Sequence, residues 1–261
     1  MNITDFIPYE FAVWQWFALV FCGICIGLAK TGINGASIVA IPILAFIFGA
    51  RESTGIVLPI LCFADLLAVI FYRRSAEWKY IWRLLPWALS GFVVAIFVDQ
   101  IVPAEMFRIL IGICIITGIA IMLWNDFKAK KSASTIPKKE NSVVRYITQA
   151  GFGIVGGFST MIGNAAGPVM SVFLLSMRLP KESFVGTAAW FFMIINYTKI
   201  PVQIFVWDNL SISGLKLALV LSPAVVAGSL LGLLLVKKIS EKHYRRLVYV
   251  MTLLSTVLLF L

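Results

Sequence analysis

The sequence predicts an all-α integral membrane protein made of two inverted repeats of about five hydrophobic segments each, with short, glycine-broken helices at the midplane. Three observations carry this prediction. Of the 261 residues 61% are hydrophobic and 13% charged, and the mean hydropathy is +0.96, a composition that leaves no polar surface for a soluble domain. A glycine-rich stretch at 153–168, GIVGGFSTMIGNAAGP, has a second copy 130 residues earlier. Set against each other without a gap, 23–53 and 153–183 match at nine of 31 positions, including Gly23 with Gly153, Gly27 with Gly157, Asn34 with Asn164 and Glu52 with Glu182. The match resumes after a shift of six or seven residues, where Phe107-Arg108-Ile109-Leu110 meets Tyr244-Arg245-Arg246-Leu247. Finally, the basic residues collect in alternate loops.

Taken in order, apolar runs bounded by charges or turn residues place segments at 11–29, 35–48, 54–72, 80–98 and 105–124, then at 146–163, 166–177, 184–206, 214–236 and 246–261. The second of each set is too short to span. GASIVAIPILAFIF and AGPVMSVFLLSM reach only about 18 to 21 Å at about 1.5 Å per residue, against a hydrocarbon core of about 30 Å. Both follow a glycine-rich break directly, and paired short segments at matching places in two halves point to a transporter's binding site. The chain therefore divides into a first membrane repeat, 1–124, a basic linker, 125–145, and a second membrane repeat, 146–261.

If the segments alternate, 18 of the 22 Lys and Arg residues fall on one side, counting Lys30, and by the positive-inside bias that side is cytoplasmic. The acidic amino terminus and the turns at Asp99 and Asp208 face the other way, so both termini come out external. Five segments is an odd number, so the second copy enters from the opposite side; this makes the repeats inverted. The net charge of +10 reflects this sidedness and not a nucleic-acid surface. Residues 1–10 carry Asp5 and Glu10, no Lys or Arg and no small-residue cleavage site, so they read as the end of the mature chain and not as a signal peptide.

Enzymatic chemistry is disfavoured by what the sequence lacks. The one histidine, His243, lies in a predicted loop; there is no HExxH, no multi-histidine metal site, no Ser-His-Asp triad and no Walker A sequence. No metal or cofactor is expected. Cys22, Cys25, Cys62 and Cys114 all sit in apolar runs, and the CxxC at Cys22 and Cys25 reads as two small residues on one helix face.

Two intramembrane charges remain, Asp65 in PILCFADLLAVIF and Lys199 in WFFMIINYTKIPVQIF. An unpaired charge at that depth costs a few kcal/mol or more, so each must face a cavity or find a partner. Either the two pair with each other, or Lys199 reaches an interface, or Lys199 holds an anion while Asp65 carries a coupling proton. Lys30 closes the first segment, and Thr31, Gly32, Asn34, Gly35 and Ser37 follow in the break. Freed backbone followed by a new helix start presents N–H groups and the positive end of a dipole, which suits an anion. Asn164, Ala165, Ala166, Gly167 and Pro168 repeat the arrangement, with Pro168 suited to a first helical turn. The same glycines, in Gly23xxxGly27, Gly153xxxGly157 and Gly163xxxGly167, also have the spacing that lets helices pack closely.

GLAKTGINGASIVAIPIL in the first half, with GGFSTMIGNAAGPVMSVFLLSMRLPKESFVGTAAWFFMIINYTKIP in the second, resembles the sulfite exporter TauE/SafE family, also called the toluene-sulfonate uptake permease family. The resemblance implies a bacterial inner-membrane secondary carrier for small sulfur-containing anions such as sulfite, sulfoacetate or another sulfonate. Carried over by position, it implies a substrate region of Lys30 to Ser37 and Asn164 to Pro168, with Thr187, Asn196 and Lys199 on a neighbouring segment. The expected partners are that anion and the lipid bilayer; a homodimer is compatible with the sequence, which fixes no oligomeric state. The competing reading from another class is a non-transporting membrane scaffold or sensor, which has no need of intramembrane Lys30, Asp65 and Lys199. The topology is tested by single cysteines introduced as Asn2→Cys and Ser134→Cys on a background without the four native ones. An impermeant thiol reagent should label them from opposite sides; labelling of both from outside would reject the inverted arrangement.

Overall fold

The computed structural model describes residues 9–49, 52–98 and 142–260. The expected fifth segment, the turn at Asp99 and most of the linker lie outside them. The described residues form nine α-helices, and each follows one of the hydrophobic runs. They are α1 (Val13–Thr31), α2 (Ala40–Phe48), α3 (Glu52–Tyr72), α4 (Trp78–Val98), α5 (Ser142–Gly163), α6 (Ala166–Ser176), α7 (Lys181–Phe205), α8 (Ile212–Lys238) and α9 (Glu241–Phe260), with a 3-10 turn (Ala36–Val39) before α2. No strand occurs among the described residues. Four of these helices, α1, α3, α4 and α8, are long and apolar enough by themselves to cross a membrane. Large apolar side chains on their outer faces, such as Phe17, Phe97, Ile212 and Leu219, are exposed as lipid-facing residues are.

Two expectations shift here. The helix of the run at 146–163 starts earlier, because Ser142 already opens α5. His243 is not in a loop; it sits in the first turn of α9, with Nδ1 2.8 Å from the Oγ of Ser240.

The halves exchange their fourth helices. In one core Leu19, Cys22 and Ile26 of α1, Ala40 and Leu44 of α2 and several α3 residues enclose Leu217, Leu221 and Val225 of α8. In the other, Phe173 and Leu174 of α6 and Phe184, Phe191 and Ile195 of α7 enclose Leu84, Leu85 and Ala88 of α4.

Glycine sets both crossings. Lipid gives helices no hydrophobic reason to associate, so close backbone approach must supply the attraction. A Cβ on Gly27 of α1 would strike the Val225 carbonyl of α8, and one on Gly228 of α8 would strike the Ile24 carbonyl of α1. In the second copy a Cβ on Gly157 of α5 would strike the Ala88 carbonyl of α4, and one on Gly91 of α4 the Ile154 carbonyl of α5. Thr31 reinforces the first crossing, its hydroxyl donating to the Ser229 carbonyl at 2.7 Å. The expected Gly163xxxGly167 packing is not made, because nothing lies within 4 Å of a Cβ on Gly163.

Direction follows from the same contacts. Gly23 lies beside Ala224, Gly27 beside Ser229 and Gly32 beside Gly232, so α1 and α8 run parallel. By contrast α3 and α7 run antiparallel: Thr54 meets Gln203, Asp65 meets Asn196 and the amide of Glu77, just past α3, meets Thr187. Each helix thus pins the turn that follows the other. Gly55 lies under the Asn209 carbonyl, and Gly186 under the Tyr72 carbonyl and the backbone of Ser75 and Ala76.

Overpacking a close crossing costs about 1–3 kcal/mol and more where backbone blocks the new atoms. Gly157→Val should therefore lower the thermal midpoint of the purified protein by several degrees or abolish its folded peak in size exclusion. Gly151→Ala on the same helix, which meets nothing within 4 Å, should leave both unchanged. Equal behaviour of the two variants would refute the packing role.

Candidate functional site

Both breaks are closed by a residue in the left-handed region. In the first, α1 stops at Thr31, the amides of Gly32 and Ile33 fold back on the Leu28 carbonyl, and Gly35 takes φ 104° before the 3-10 turn. In the second, Asn164 takes φ 55° and its amide returns to the Thr160 carbonyl at 3.1 Å, an αL cap on α5. Asparagine is the commonest residue after glycine to tolerate that conformation. Two tyrosines then secure the carbonyls that the first break releases: Tyr72 Oη donates to Thr31 O at 3.0 Å, and Tyr244 Oη to Gly32 O at 2.9 Å.

The breaks meet. A Cβ on Gly167 would sit 3.8 Å from the Gly35 amide nitrogen. Between them lies a cavity of about 20 Å³, bounded by Lys30, Asn34, Gly35 and Ser37 from the first break and by Thr160, Asn164 and Gly167 from the second. Asn196 and Phe192 of α7, with Ala29 and Leu61, complete the wall.

Its electrostatics are organised in two groups. Lys30 Nζ pairs with Asp65 Oδ1 at 2.7 Å and lies 4.2 Å from the centre of the Phe192 ring, while Asn196 Nδ2 donates to Asp65 Oδ2 at 2.6 Å. Lys199 Nζ donates to the Thr160 carbonyl at 2.7 Å and to the Asn164 side-chain oxygen. Asp65 and Lys199 are 0% exposed, and both stand just behind the wall. Two polar atoms on the wall, Asn34 Nδ2 and Asn196 Oδ1, are buried without a hydrogen-bond partner. An unused buried donor costs about 1–3 kcal/mol, so Asn34 Nδ2 marks a place for an acceptor.

The structure therefore brings Lys30, Asn34, Gly35, Ser37, Asn164, Gly167 and Asn196 to one cavity. Others fall elsewhere. Thr31 serves the α1–α8 crossing, and Ala165 and Ala166 are buried beside the wall without forming it. Thr187 is roughly 13 Å along α7 from Asn196 and accepts the Glu77 amide at 2.9 Å. Two expectations about charge are corrected. Asp65 is paired with Lys30, not Lys199, and Lys199 does not reach an interface, because neutral acceptors from the second break hold it inside. Lys30, counted above among the loop charges, lies buried in the last turn of α1, where Asp65 makes its burial affordable. Sequence reasoning did not single out Phe192 or Thr160. The spacing Phe192, Asn196, Lys199, one helix face at i, i+4 and i+7, is the signal that exposes Phe192.

The cavity gathers one ammonium group, a free amide donor and further amide and hydroxyl groups beside Ala29, Leu61 and Phe192; among the described residues no group of His, Cys, Asp and Glu is placed to hold a metal. No curated protein matches the chain, and no solved structure does. A family model described as Sulfite exporter TauE/SafE matches residues 19–259, which takes in both breaks, both buried lysines and Asp65. The chain accordingly belongs to the TauE/SafE sulfite exporter family, whose members are membrane transporters and not enzymes.

Proposed function

We propose that this protein is a secondary exporter of a small sulfur-containing oxyanion, such as sulfite, sulfoacetate or another sulfonate, which it binds between the two helix breaks and moves by alternating access. The observation that carries this is the cavity itself, where Lys30 Nζ and the unpartnered Asn34 Nδ2 converge with the start of α6. An ammonium, an amide donor and the positive end of a helix are three sources of attraction for one oxyanion.

Alternating access draws support from cavity size and from the closures on either side. About 20 Å³ holds roughly one water, so an oxyanion enters only when the walls separate. Towards one end, Thr54 Oγ1 accepts from Asn209 Nδ2 at 3.1 Å; towards the other, Thr187 Oγ1 accepts from the Glu77 amide. The two closures lie at opposite ends of the antiparallel pair α3 and α7, an arrangement that supports inverted repeats. The side bearing Thr187 carries Arg73, Arg74, Arg178 and Lys181, which supports a cytoplasmic face there and external termini.

Anion affinity, read by calorimetry on purified protein with sulfite and sulfoacetate, tests the site. A charge-assisted hydrogen bond is worth about 1.5–3 kcal/mol and about 1.4 kcal/mol is tenfold, so Asn34→Leu and Asn164→Leu should each weaken binding roughly 10- to 100-fold. Lys30→Ala should do the same, but it also strands Asp65 at a cost of about 3–5 kcal/mol, so its folded fraction is measured alongside. Lys138→Ala, in the basic linker, should bind as the parent does. If all three cavity variants are folded and bind normally, the breaks are packing motifs only.

A further inference from the structure

With both lysines protonated, the buried charges around the cavity do not cancel: among the described residues the ammonium groups of Lys30 and Lys199 stand against the one carboxylate of Asp65, one net positive charge beside the cavity. Among the described residues the hydrogen-bond acceptors of Lys199 are neutral, the Thr160 carbonyl and the Asn164 side-chain oxygen. Lys30 faces Asp65 and the cavity at once, so a ligand reaches its ammonium without displacing the carboxylate.

From this ledger we infer that the site is matched to one negative charge: a monoanionic sulfonate binds with Asp65 ionised, whereas a dianion binds only together with a proton, which Asp65 takes up. The inference deepens the proposed function and rests on it. With a monoanion in place, two positive and two negative charges meet at the cavity among the described residues, and they cancel. A dianion adds one negative charge too many, and uncompensated charge is what this environment penalises most. The proton then passes from solvent to a carboxylate oxygen of Asp65, leaving Asp65 neutral, Asn196 still in contact with it, and Lys30 free to pair wholly with the ligand. Transport of either ligand class thus carries the same net charge across the membrane.

Asp65 is the group placed to accept that proton. The charged and titratable neighbours acting on it are Lys30 from α1, Lys199 and Tyr197 from α7, and Cys62 one turn away on α3. Of the other elements packed on α3, α2 contains no titratable residue, and α8 carries its lysines, Lys216, Lys237 and Lys238, near its two ends. The other polar side chains lining the cavity, Asn34, Ser37, Thr160, Asn164 and Asn196, are amides and hydroxyls and do not titrate.

The test is calorimetric titration of the purified full-length protein in two buffers of different ionisation enthalpy, which reads the protons exchanged per ligand. Methanesulfonate is the monoanion and sulfoacetate the dianion, at about pH 7.5, well above the ordinary carboxyl range near pH 4. Methanesulfonate should bind with no net proton exchange, and sulfoacetate with uptake of roughly one proton, its affinity falling about tenfold for each pH unit raised. In Asp65→Asn, sulfoacetate binding should lose both the uptake and the pH dependence. If that variant does not fold, the two wild-type titrations still decide. Sulfoacetate binding without proton uptake overturns the inference while leaving the anion site standing. Proton uptake with methanesulfonate also overturns it, since Lys199 would then be uncharged at rest. Failure of both ligands to bind removes the proposed site and the inference with it.

Discussion

The structure depends on the ion pair between Lys30 and Asp65. A carboxylate at 0% exposure inside an apolar bundle is tolerable only if an opposite charge and further donors satisfy it, and Lys30 with Asn196 does so from two other helices. That one contact ties α1, α3 and α7 together at the level of the cavity. It also explains where α1 stops. Lys30 has to lie in a last turn whose backbone then turns away, and the carbonyls freed at Thr31 and Gly32 are taken up by Tyr72 and Tyr244, so the break exposes donors to the cavity and not orphaned acceptors.

Around this centre the bundle is held by shape more than by polarity. Gly27 with Gly228, and Gly157 with Gly91, place backbone against backbone at two equivalent crossings, where every further atom would have to force helices apart. Because each half lends its fourth helix to the other, neither core is complete alone. Both cores therefore draw on both halves, so the proposed rocking of repeats would have to move the two together.

Polar contacts stand at both ends of the α3 and α7 pair. Thr54 with Asn209 at one end and Thr187 with Glu77 at the other are neutral hydrogen bonds, each worth about 0.5–1.5 kcal/mol net. They lie on glycine-thinned faces of α3 and α7, at Gly55 and Gly186, so closure also rests on close packing that a small displacement removes. The charged groups stay in the middle. In the proposed cycle the ends exchange weak contacts while the strong ones, Lys30 with Asp65 and Lys199 with Asn164, remain near the ligand, so that binding energy is concentrated where the anion sits.

How much of this was written in the sequence follows from the range of each interaction. Helix positions were legible because hydropathy and helix length are local properties of a chain in lipid, and α1 to α9 fall on the expected runs. The breaks were legible too: glycines at 32 and 35 and the sequence Asn164 to Pro168 interrupt a helix whatever surrounds them. Pairing was not. Asp65 and Lys199 are the two charges that hydropathy exposes, and their pairing is one of three readings that the sequence leaves open, whereas Lys30 at a helix end reads as a loop charge. Only the packing of α1 beside α3 decides that Lys30 turns inward, and only the left-handed turn at Asn164 gives Lys199 neutral acceptors instead. Thr187 shows the same limit, since a threonine on the right helix served a distant turn and not the cavity. Local sequence determines where helices begin, end and break; which side chain meets which across helices is a property of their docking, set by contacts such as Gly27 against Val225 that pair residues nearly two hundred positions apart.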